Sequence, residues 1–197
     1  LFELTGVNRI VVVGGGKASA ELAIQLHSQV LRPLKSQIPN LTVEGWINCP
    51  EGSFDASADA TVATQECIHL CEARPAGINQ PTPKAVQGTQ QILDLVSSGG
   101  KDDLVICLIS GGGSALLASP QPPASLADKQ AIAKHIAAAG GNIEQLNTVR
   151  RALSQVKGGG LARACSAPRM VTLILSDVLG DSLETIASGP TDLNASS

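Results

Sequence analysis

Two short apolar segments of this chain each lead into a run of three glycines. Residues 9–13 (RIVVV) precede Gly14–Gly16, and residues 104–109 (LVICLI) precede Ser110 and Gly111–Gly113. Unbroken apolar runs of this length are typical of strands that are buried on both faces, as in parallel sheets covered by helices. A glycine run after such a strand allows a tight turn into the next element. The pattern therefore predicts an α/β domain.

The rest of the sequence alternates between strand-like and helix-like segments. Further strands are predicted at residues 42–49, 66–73 and 171–175. Helices are predicted at residues 18–31, 84–98, 126–139 and 143–156. This alternation predicts a three-layer, Rossmann-like α/β domain with a largely parallel sheet. Ligands of such sheets bind beyond the carboxyl ends of the strands, which is where both glycine runs fall.

Charge and composition exclude several classes of protein. The chain carries 14 Lys and Arg against 17 Asp and Glu, a net charge of −3, so it lacks the basic surface that non-specific nucleic-acid binding requires. Hydrophobic residues make up 43% and charged residues 16%, which excludes disorder driven by charge. No apolar run reaches the roughly 20 residues of a membrane span. The cysteines show no framework spacing and fit reduced thiols, so we expect a cytoplasmic protein.

Lys17 follows the first glycine run and marks the first segment with clear chemistry. Backbone N–H groups between a strand and a helix can approach an anion, and a lysine adds a mobile positive charge. The segment is not a Walker A loop, because Ala18 stands where a Mg²⁺-binding hydroxyl is needed. It nearly matches the dinucleotide fingerprint, with Gly14, Gly16 and Ser19 in the glycine positions, but no ribose-binding acid is evident. An anion site and a tight turn that packs helix on strand both remain open.

Ser114 follows the second glycine run at a predicted helix start. This segment therefore repeats the pattern of the first, in which a glycine run joins an apolar strand to a helix. Its hydroxyl can cap the helix or bind a phosphate. The nucleophile elbow of a serine hydrolase is disfavoured, because Leu116 takes the place of its last glycine.

Residues 146–157 (LNTVRRALSQVK) form two stripes if they lie on one helix. Asn147, Arg150, Ser154 and Lys157 share one stripe, and apolar residues form the adjoining stripe that faces the core. An array of donors without an acid suits the recognition of phosphate or carboxylate. A solvated basic helix face is the alternative.

Asp177 stands at the carboxyl end of the last predicted strand, a usual position for a catalytic or Mg²⁺-coordinating carboxylate. Asp181 is a second candidate, and helix capping is the alternative for both. Glycine runs for anions, a basic donor stripe and a strand-end carboxylate together describe phosphoryl transfer. In that reaction, positioning and charge neutralisation provide most of the catalysis.

Four segments, in order along the chain, resemble the glycerate 2-kinase family. They are residues 12–19 (VVGGGKAS), residues 107–117 (CLISGGGSALL), residues 146–151 with 157–159 (LNTVRR and KGG), and residues 175–178 with 186–191 (LSDV and IASGPT). Members of this family carry a C-terminal domain called MOFRL, and some bear the name hydroxypyruvate reductase. The resemblance implies an ATP- and Mg²⁺-dependent kinase that phosphorylates a hydroxyl of glycerate, with a Rossmann-like first domain.

The resemblance implies a role for Lys17, and the residue patterns above predict roles for the other candidates. Lys17 looks like the family's active-site lysine and would neutralise charge on the transferring phosphoryl group. Asp177, with Asp181 as a second ligand, would hold Mg²⁺, or Asp177 would orient the substrate hydroxyl. The residues expected to bind the glycerate carboxylate or a phosphate are Asn147, Arg150 and Lys157. The residues expected to hold the ATP phosphates are Gly14, Gly15, Gly16, Ser110, Gly111, Gly112, Gly113 and Ser114.

The family places its active site in the cleft between its two domains. The chain opens with Leu1, and we expect a fragment with a domain over residues 1–191, a linker remnant over 192–197 and no MOFRL domain, so that the chain alone shows little activity. Residues 80–84 are Gln80-Pro81-Thr82-Pro83-Lys84 where the family usually shows His-Pro-x-Pro-Asp, which removes a histidine and an acid. An NAD(P)H-dependent hydroxypyruvate reductase and a non-catalytic anion-binding domain are the alternatives.

Overall fold

The computed structural model describes residues 4–176 and 182–194, and a five-stranded sheet with parallel neighbouring strands forms its centre. The strands are β1 (Arg9–Gly15), β2 (Thr42–Pro50), β3 (Ile68–Arg74), β4 (Asp103–Ser110) and β5 (Arg169–Leu175). Their order across the sheet is β3-β2-β1-β4-β5. The predicted α/β fold with its parallel sheet is confirmed.

Helices connect the strands. They are α1 (Ser19–Leu26), α2 (Arg32–Gln37), α3 (Asp59–Gln65), α4 (Pro83–Ser97), α5 (Gly113–Leu116), α6 (Leu126–Ala138), α7 (Ile143–Ala152) and α8 (Gly160–Ala164). A π-helical turn (His27–Leu31) joins α1 to α2, and a 3₁₀ turn covers Ile186–Ser188. Sequence analysis missed α2, α3 and α8, because at six, seven and five residues they are too short to show a periodic apolar pattern. The helix start predicted at Ser114 lies within α5. In the described ranges, no helix is long and apolar enough to cross a membrane.

Both faces of the sheet are buried, as the unbroken apolar runs predict. On one face, Ile10 and Val12 pack in a cluster with Ala23 of α1. On the other face, Val11 and Val13 pack in a second cluster that contains residues of α4. Successive side chains of a strand point to opposite faces, so a strand between two helix layers must be apolar at every position.

The strand order reverses between β1 and β4. The chain leaves β1 toward β2 and leaves β4 toward β5, although β1 and β4 are hydrogen-bonded neighbours. The two connections diverge and leave a crevice at the carboxyl ends of these strands, which is the position where open α/β sheets bind ligands. Both glycine runs lie at this crevice.

Two predicted helix ends are wrong. The first helix was expected to stop before Pro33, but the π-helical turn places Pro33 in the first turn of α2, where a missing N–H costs no regular helical hydrogen bond. The helix predicted over 143–156 ends at Ala152. The backbone N–H of Gln155 donates to the carbonyl of Ser119 at 3.0 Å, and its side chain bonds Ser119 and Pro120. Because these hydrogen bonds replace helical ones, α7 ends before Ser154. Ser154 and Lys157 therefore do not lie on the helix face that carries Arg150.

At Gly88, helix α4 packs so closely on the sheet that there is no room for a side chain. A Cβ at this position of α4 would lie 2.1 Å from Oδ1 of the buried Asn48, whose side chain bonds the carbonyls of Ala85 and Leu116. Replacing glycine with alanine normally stabilises a helix by about 1 kcal/mol. We expect Gly88→Ala instead to lower the free energy of unfolding by about 1–3 kcal/mol, because the methyl group overpacks the interior.

Urea denaturation measures this effect. The control is Gln87→Ala, which changes an exposed residue of the same helix. A Gly88→Ala protein as stable as the unsubstituted chain would contradict the packing described.

Candidate active site

The first glycine run and the residues after it form hydrogen bonds within the protein. Gly14 and Gly15 are the last residues of β1. The backbone N–H of Gly16 donates to the carbonyl of Asn48 at 3.2 Å, and that of Lys17 donates to the carbonyl of Gly111 at 2.9 Å. The N–H of Ala18 donates to Oγ of Ser110 at 3.0 Å. The amides that follow β1 therefore have partners within the protein.

Close approach between β1 and β4 explains why glycine occupies these positions. A Cβ at Gly16 would lie 2.1 Å from Oγ of Ser110, and one at Gly14 would lie 2.0 Å from the carbonyl oxygen of Leu108. Ser19 joins the same contact, because its hydroxyl donates to the Leu108 carbonyl at 3.2 Å. The geometry supports the packing interpretation of this run. Contacts from Gly14, Gly15 and Gly16 to a nucleotide stay a prediction.

The second glycine run has a more open backbone. Gly111 and Gly112 are only partly buried, and Gly112 has a φ of +79°, in the region that favours glycine. Within residues 4–176 and 182–194, the N–H groups of Gly111 and Gly112 have no hydrogen-bond acceptor. Gly113 is buried, and a Cβ there would lie 2.8 Å from the carbonyl oxygen of Gly15. The turn is thus fixed at Gly113 and open at Gly111 and Gly112, as an anion-binding turn needs.

Two cationic side chains converge on Gly112. A Cβ built at this glycine would lie 3.2 Å from Nη2 of Arg74 and 3.2–3.3 Å from Cγ and Cε of Lys17. Lys17 is exposed, whereas Arg74 is buried at the end of β3. Among the described residues, no carboxylate forms an ion pair with either side chain. Positive charge at the turn is therefore left without a counter-charge from the described protein.

Lys157 lies at the other end of the second glycine turn. Its Nζ donates to Oγ of Ser114 at 2.5 Å, and Oγ of Ser188 lies 3.5 Å away. The two hydroxyls are 3.0 Å apart, so the three side chains form one hydrogen-bonded cluster. Lys157 reaches this cluster from the loop between α7 and α8, not from a helix face.

Ser188 is held in an unusual backbone conformation. Ala187 and Ser188 have φ values of +52° and +65°, which residues with a side chain rarely adopt. The N–H of Gly158 donates to the carbonyl of Ser188 at 2.9 Å, and that of Gly159 to the carbonyl of Gly189 at 2.6 Å. The loop that carries Lys157 therefore clamps the strained segment and sets the position of the Ser188 hydroxyl. Strain of this kind is found at functional sites.

The nearby charges that act on Lys157 are positive and disfavour its protonated form. Burial lowers the pKa of Lys157 to about 7, and the positive charges of Lys129 and Arg150 add to this shift. Burial also lowers the pKa of Lys129 to about 8, with a smaller contribution from Arg150. No described carboxylate pairs with any of the three cations. A bound anion would relieve their mutual repulsion.

The structure brings some predicted site residues together and leaves others untested. Lys17 and the second glycine run, with Ser110 and Ser114, meet at the crevice, and Arg150 and Lys157 contribute to the neighbouring charge cluster. Asp177 and Asp181 lie outside the described residues. Asn147 belongs to α7, but its side chain is likewise not described. These residues stay predictions.

Sequence analysis missed several polar residues of the site. Arg74, Lys129 and Ser188 reach it from β3, α6 and the 3₁₀ turn. Ser188 lies in the IASGPT segment, so the motif itself was a usable signal. Arg74 is the last residue of β3 and directly follows the strand predicted over 66–73, so its strand-end position, like that of Asp177, was the signal to use.

A separate cavity of about 410 Å³ lies beside the edge strand β3, lined by Trp46, His69, Cys71 and Lys84 among others. The rings of Trp46 and His69 stack there with centroids 4.0 Å apart. It shares no lining residue with the clusters around Gly112 and Ser114. The crevice is the better candidate, because basic side chains that pair with no described acid lie there beside a strained backbone segment.

Comparison with known proteins identifies relatives of this chain. The profile of a family described as a domain of unknown function, DUF4147, matches residues 2–197. The glycerate kinases of Rattus norvegicus and Danio rerio are 45% and 42% identical to this chain, covering 92% and 96% of it but only 34% and 36% of their own lengths. A protein of Agrobacterium vitis, provisionally named as a hydroxypyruvate reductase, is 38% identical over 95% of this chain and 44% of its own.

Two solved structures share the fold. The PH0495 protein from Pyrococcus horikoshii OT3 matches with a TM-score of 0.77 and 33% identity, over 96% of this chain and 38% of that one. The glycerate kinase from Thermotoga maritima matches with a TM-score of 0.76 and 32% identity, over 94% of this chain and 40% of that one. The chain thus spans between about a third and 44% of the length of these relatives.

The lowered pKa of Lys157 predicts a pH-dependent stability. Between about pH 7 and the ordinary lysine pKa, the unfolded chain holds a proton that the folded chain lacks, so stability due to this group rises with pH. Below pH 7 both states are protonated and the contribution is flat. In anion-free buffer, we expect the free energy of unfolding of the unsubstituted chain, relative to Lys157→Met, to rise above pH 7 by up to about 1.4 kcal/mol per pH unit.

Denaturant titrations between pH 6 and pH 9 measure this difference. Lys134→Met, which changes an exposed lysine of α6, is the control and should follow the unsubstituted chain. Parallel curves for Lys157→Met and the unsubstituted chain would show that Lys157 is an ordinary lysine.

Proposed function

The chain belongs to the family described as DUF4147, and from this premise we propose that it is the nucleotide- and glycerate-binding domain of a glycerate kinase. The observation that carries the proposal is the buried Lys157, bonded to Ser114 and Ser188 beside two further cations that no described acid neutralises. The glycerate kinase names of relatives at 42–45% identity support it.

The second glycine turn would hold the phosphates of ATP. The open N–H groups of Gly111 and Gly112 can donate to phosphate oxygens, and Ser114 stands at the end of the turn. Lys17 is exposed above Gly112, so its amine is free to follow the transferring phosphoryl group and neutralise its charge. Gly14, Gly15, Gly16 and Ser110 would support this turn from beneath.

The Lys157 cluster would bind glycerate. A carboxylate placed between Lys157 and Arg150 would remove their repulsion, and the hydroxyls of Ser114 and Ser188 can hydrogen-bond the substrate. Asn147 would add a further contact from α7. Ser114 follows Gly112 by two residues. Phosphate and acceptor hydroxyl would therefore meet within one short segment, and such fixed proximity accounts for much of phosphoryl-transfer catalysis.

Mg²⁺ would screen the phosphate charges when bound. Among the described residues, no group of three His, Cys, Asp or Glu side chains could hold a metal ion. The proposed ligands are Asp177 and Asp181. Carboxylates are suitable donors for this hard cation.

The proposal includes a second domain. The glycerate kinases matched here are much longer than this chain, and a C-terminal MOFRL domain would close the crevice from the other side. In this arrangement residues 1–191 form the first domain, and residues 192–197 lead toward the second. We further propose a cytoplasmic location.

A hydroxypyruvate reductase is the second candidate. It is favoured by the name of the Agrobacterium vitis relative and by the glycines at the end of β1. In this chain, however, the N–H groups of Gly16 and Ala18 donate within the protein, at 3.2 and 3.0 Å. A dinucleotide pyrophosphate bound in the usual manner needs such amides free.

Calorimetric titration separates these functions. We expect ATP with Mg²⁺ to bind the natural full-length protein, and NADH and NADPH not to bind. Titration with ATP in the absence of Mg²⁺ is the control, because a simple anion-binding domain does not need the metal. Binding of a dinucleotide without binding of ATP would favour the reductase.

Lys17→Met tests the role of the exposed lysine. Loss of a charge that acts in the transition state should lower the turnover of glycerate phosphorylation about a hundredfold or more. Stability should change little, because Lys17 is exposed and its side chain has no ion pair with a described residue. Steady-state kinetics and thermal unfolding measure the two effects.

Lys35→Met provides the matched control. Lys35 is an exposed lysine of α2, and its substitution should leave turnover unchanged. Unchanged turnover in Lys17→Met as well would remove Lys17 from the proposed mechanism.

A further inference from the structure

We propose that Arg74 is a second phosphate-binding cation, and that its guanidinium and the amine of Lys17 hold the terminal phosphates of the nucleotide over Gly112. The inference rests on the proposed function and adds a residue that the glycine motifs do not contain. Three observations support it: Arg74 is buried, no described carboxylate pairs with it, and its guanidinium approaches Gly112.

Arg74 is buried without the partners that a buried arginine needs. The residue is 3% exposed. Its Nη1 donates to the carbonyls of Pro75 and Ile78, which fixes the guanidinium plane. Its Nε is buried and has no hydrogen-bond partner within the described ranges. Buried charges are normally paired, so an anion is the missing component.

The direction of Arg74 identifies where that anion would sit. Nη2 points toward Gly112, and it lies within 3.3 Å of the same point as Cγ and Cε of Lys17. Two basic side chains that reach one open glycine, with no described carboxylate paired to either, offer an anion two cationic donors. The N–H groups of Gly111 and Gly112 have no acceptor among the described residues, so this turn adds backbone donors beside the two side chains.

The sheet order explains why an arginine suits this position. β3 is separated from β4 by β2 and β1, so a side chain from the end of β3 must reach across two strands. The backbone there is anchored, because the N–H of Glu51 donates to the carbonyl of Arg74 at 2.9 Å. A long side chain on a fixed backbone presents a planar fork that matches two phosphate oxygens.

Titration of inorganic pyrophosphate into the natural full-length protein tests the inference, with Arg74→Gln and Arg74→Lys as variants. We expect the Kd to rise at least thirtyfold in Arg74→Gln and at least fivefold in Arg74→Lys, because lysine keeps the charge but loses the fork. The affinity for adenosine should stay within twofold. The control Arg32→Gln changes an exposed arginine of α2 and should bind pyrophosphate normally.

Each outcome has a definite meaning. Pyrophosphate binding within twofold of normal in a folded Arg74→Gln protein would overturn the inference. Equal weakening of pyrophosphate and adenosine binding would also overturn it, because a merely structural arginine would act in that way. If Arg74→Gln does not fold, Arg74→Lys decides by the same twofold limit.

Failure of the proposed function gives a different result. Pyrophosphate binding that depends on Arg74, in a protein that does not phosphorylate glycerate, would keep the phosphate subsite and refute the kinase. Normal glycerate phosphorylation with unchanged kinetics in Arg74→Gln would refute the subsite and keep the kinase.

Discussion

The contact between the carboxyl ends of β1 and β4 is the constraint on which the rest of the structure depends. The loop after β1 can lie against Ser110 only because Gly16 has no side chain, since a Cβ there would fall 2.1 Å from the serine hydroxyl oxygen. Ser110 in turn accepts the N–H of Ala18 and so holds the start of α1. β1 and β4 are also the strands between which the sheet order reverses. One close contact therefore fixes the first helix and forms the floor of the crevice.

The two glycine runs look alike in sequence but have different physical roles. In the first, the N–H of Gly16 donates to the carbonyl of Asn48, and the N–H of Lys17 donates to the carbonyl of Gly111. In the second, the N–H groups of Gly111 and Gly112 find no acceptor in the part of the chain that the structure describes. The first run allows the backbones of β1 and β4 to approach closely. The second run, held beside β1 by this contact, can present backbone amides to a ligand. A glycine requirement in a loop is therefore evidence for close approach first, and for anion binding only where the amides remain free.

The fold could be predicted from the sequence because its strands are locally encoded. Residues 9–13 and 104–109 must be buried on both faces, whichever strands pair with them. The end of α7 could not be predicted, because Gln155 leaves the helix to bond Ser119 and Pro120, far away in sequence. For Arg74 the sequence offered only its position at the end of a strand. Its approach to Gly112 depends on a sheet order in which β2 and β1 separate β3 from β4, and no local pattern encodes that order.

The site is stabilised less by its own contacts than by those that surround it. A positive φ at Ala187 or Ser188 costs on the order of 1–3 kcal/mol, and the hydrogen bonds from Gly158 and Gly159 hold that segment in place. Lys157 and Arg74 are buried basic groups that pair with no described acid, so each costs further free energy when it carries its charge. An anion that binds only the folded state would offset both costs and stabilise the fold in proportion to the logarithm of its concentration. The strain and the unpaired charge are thus best understood together, as a site completed by its ligand.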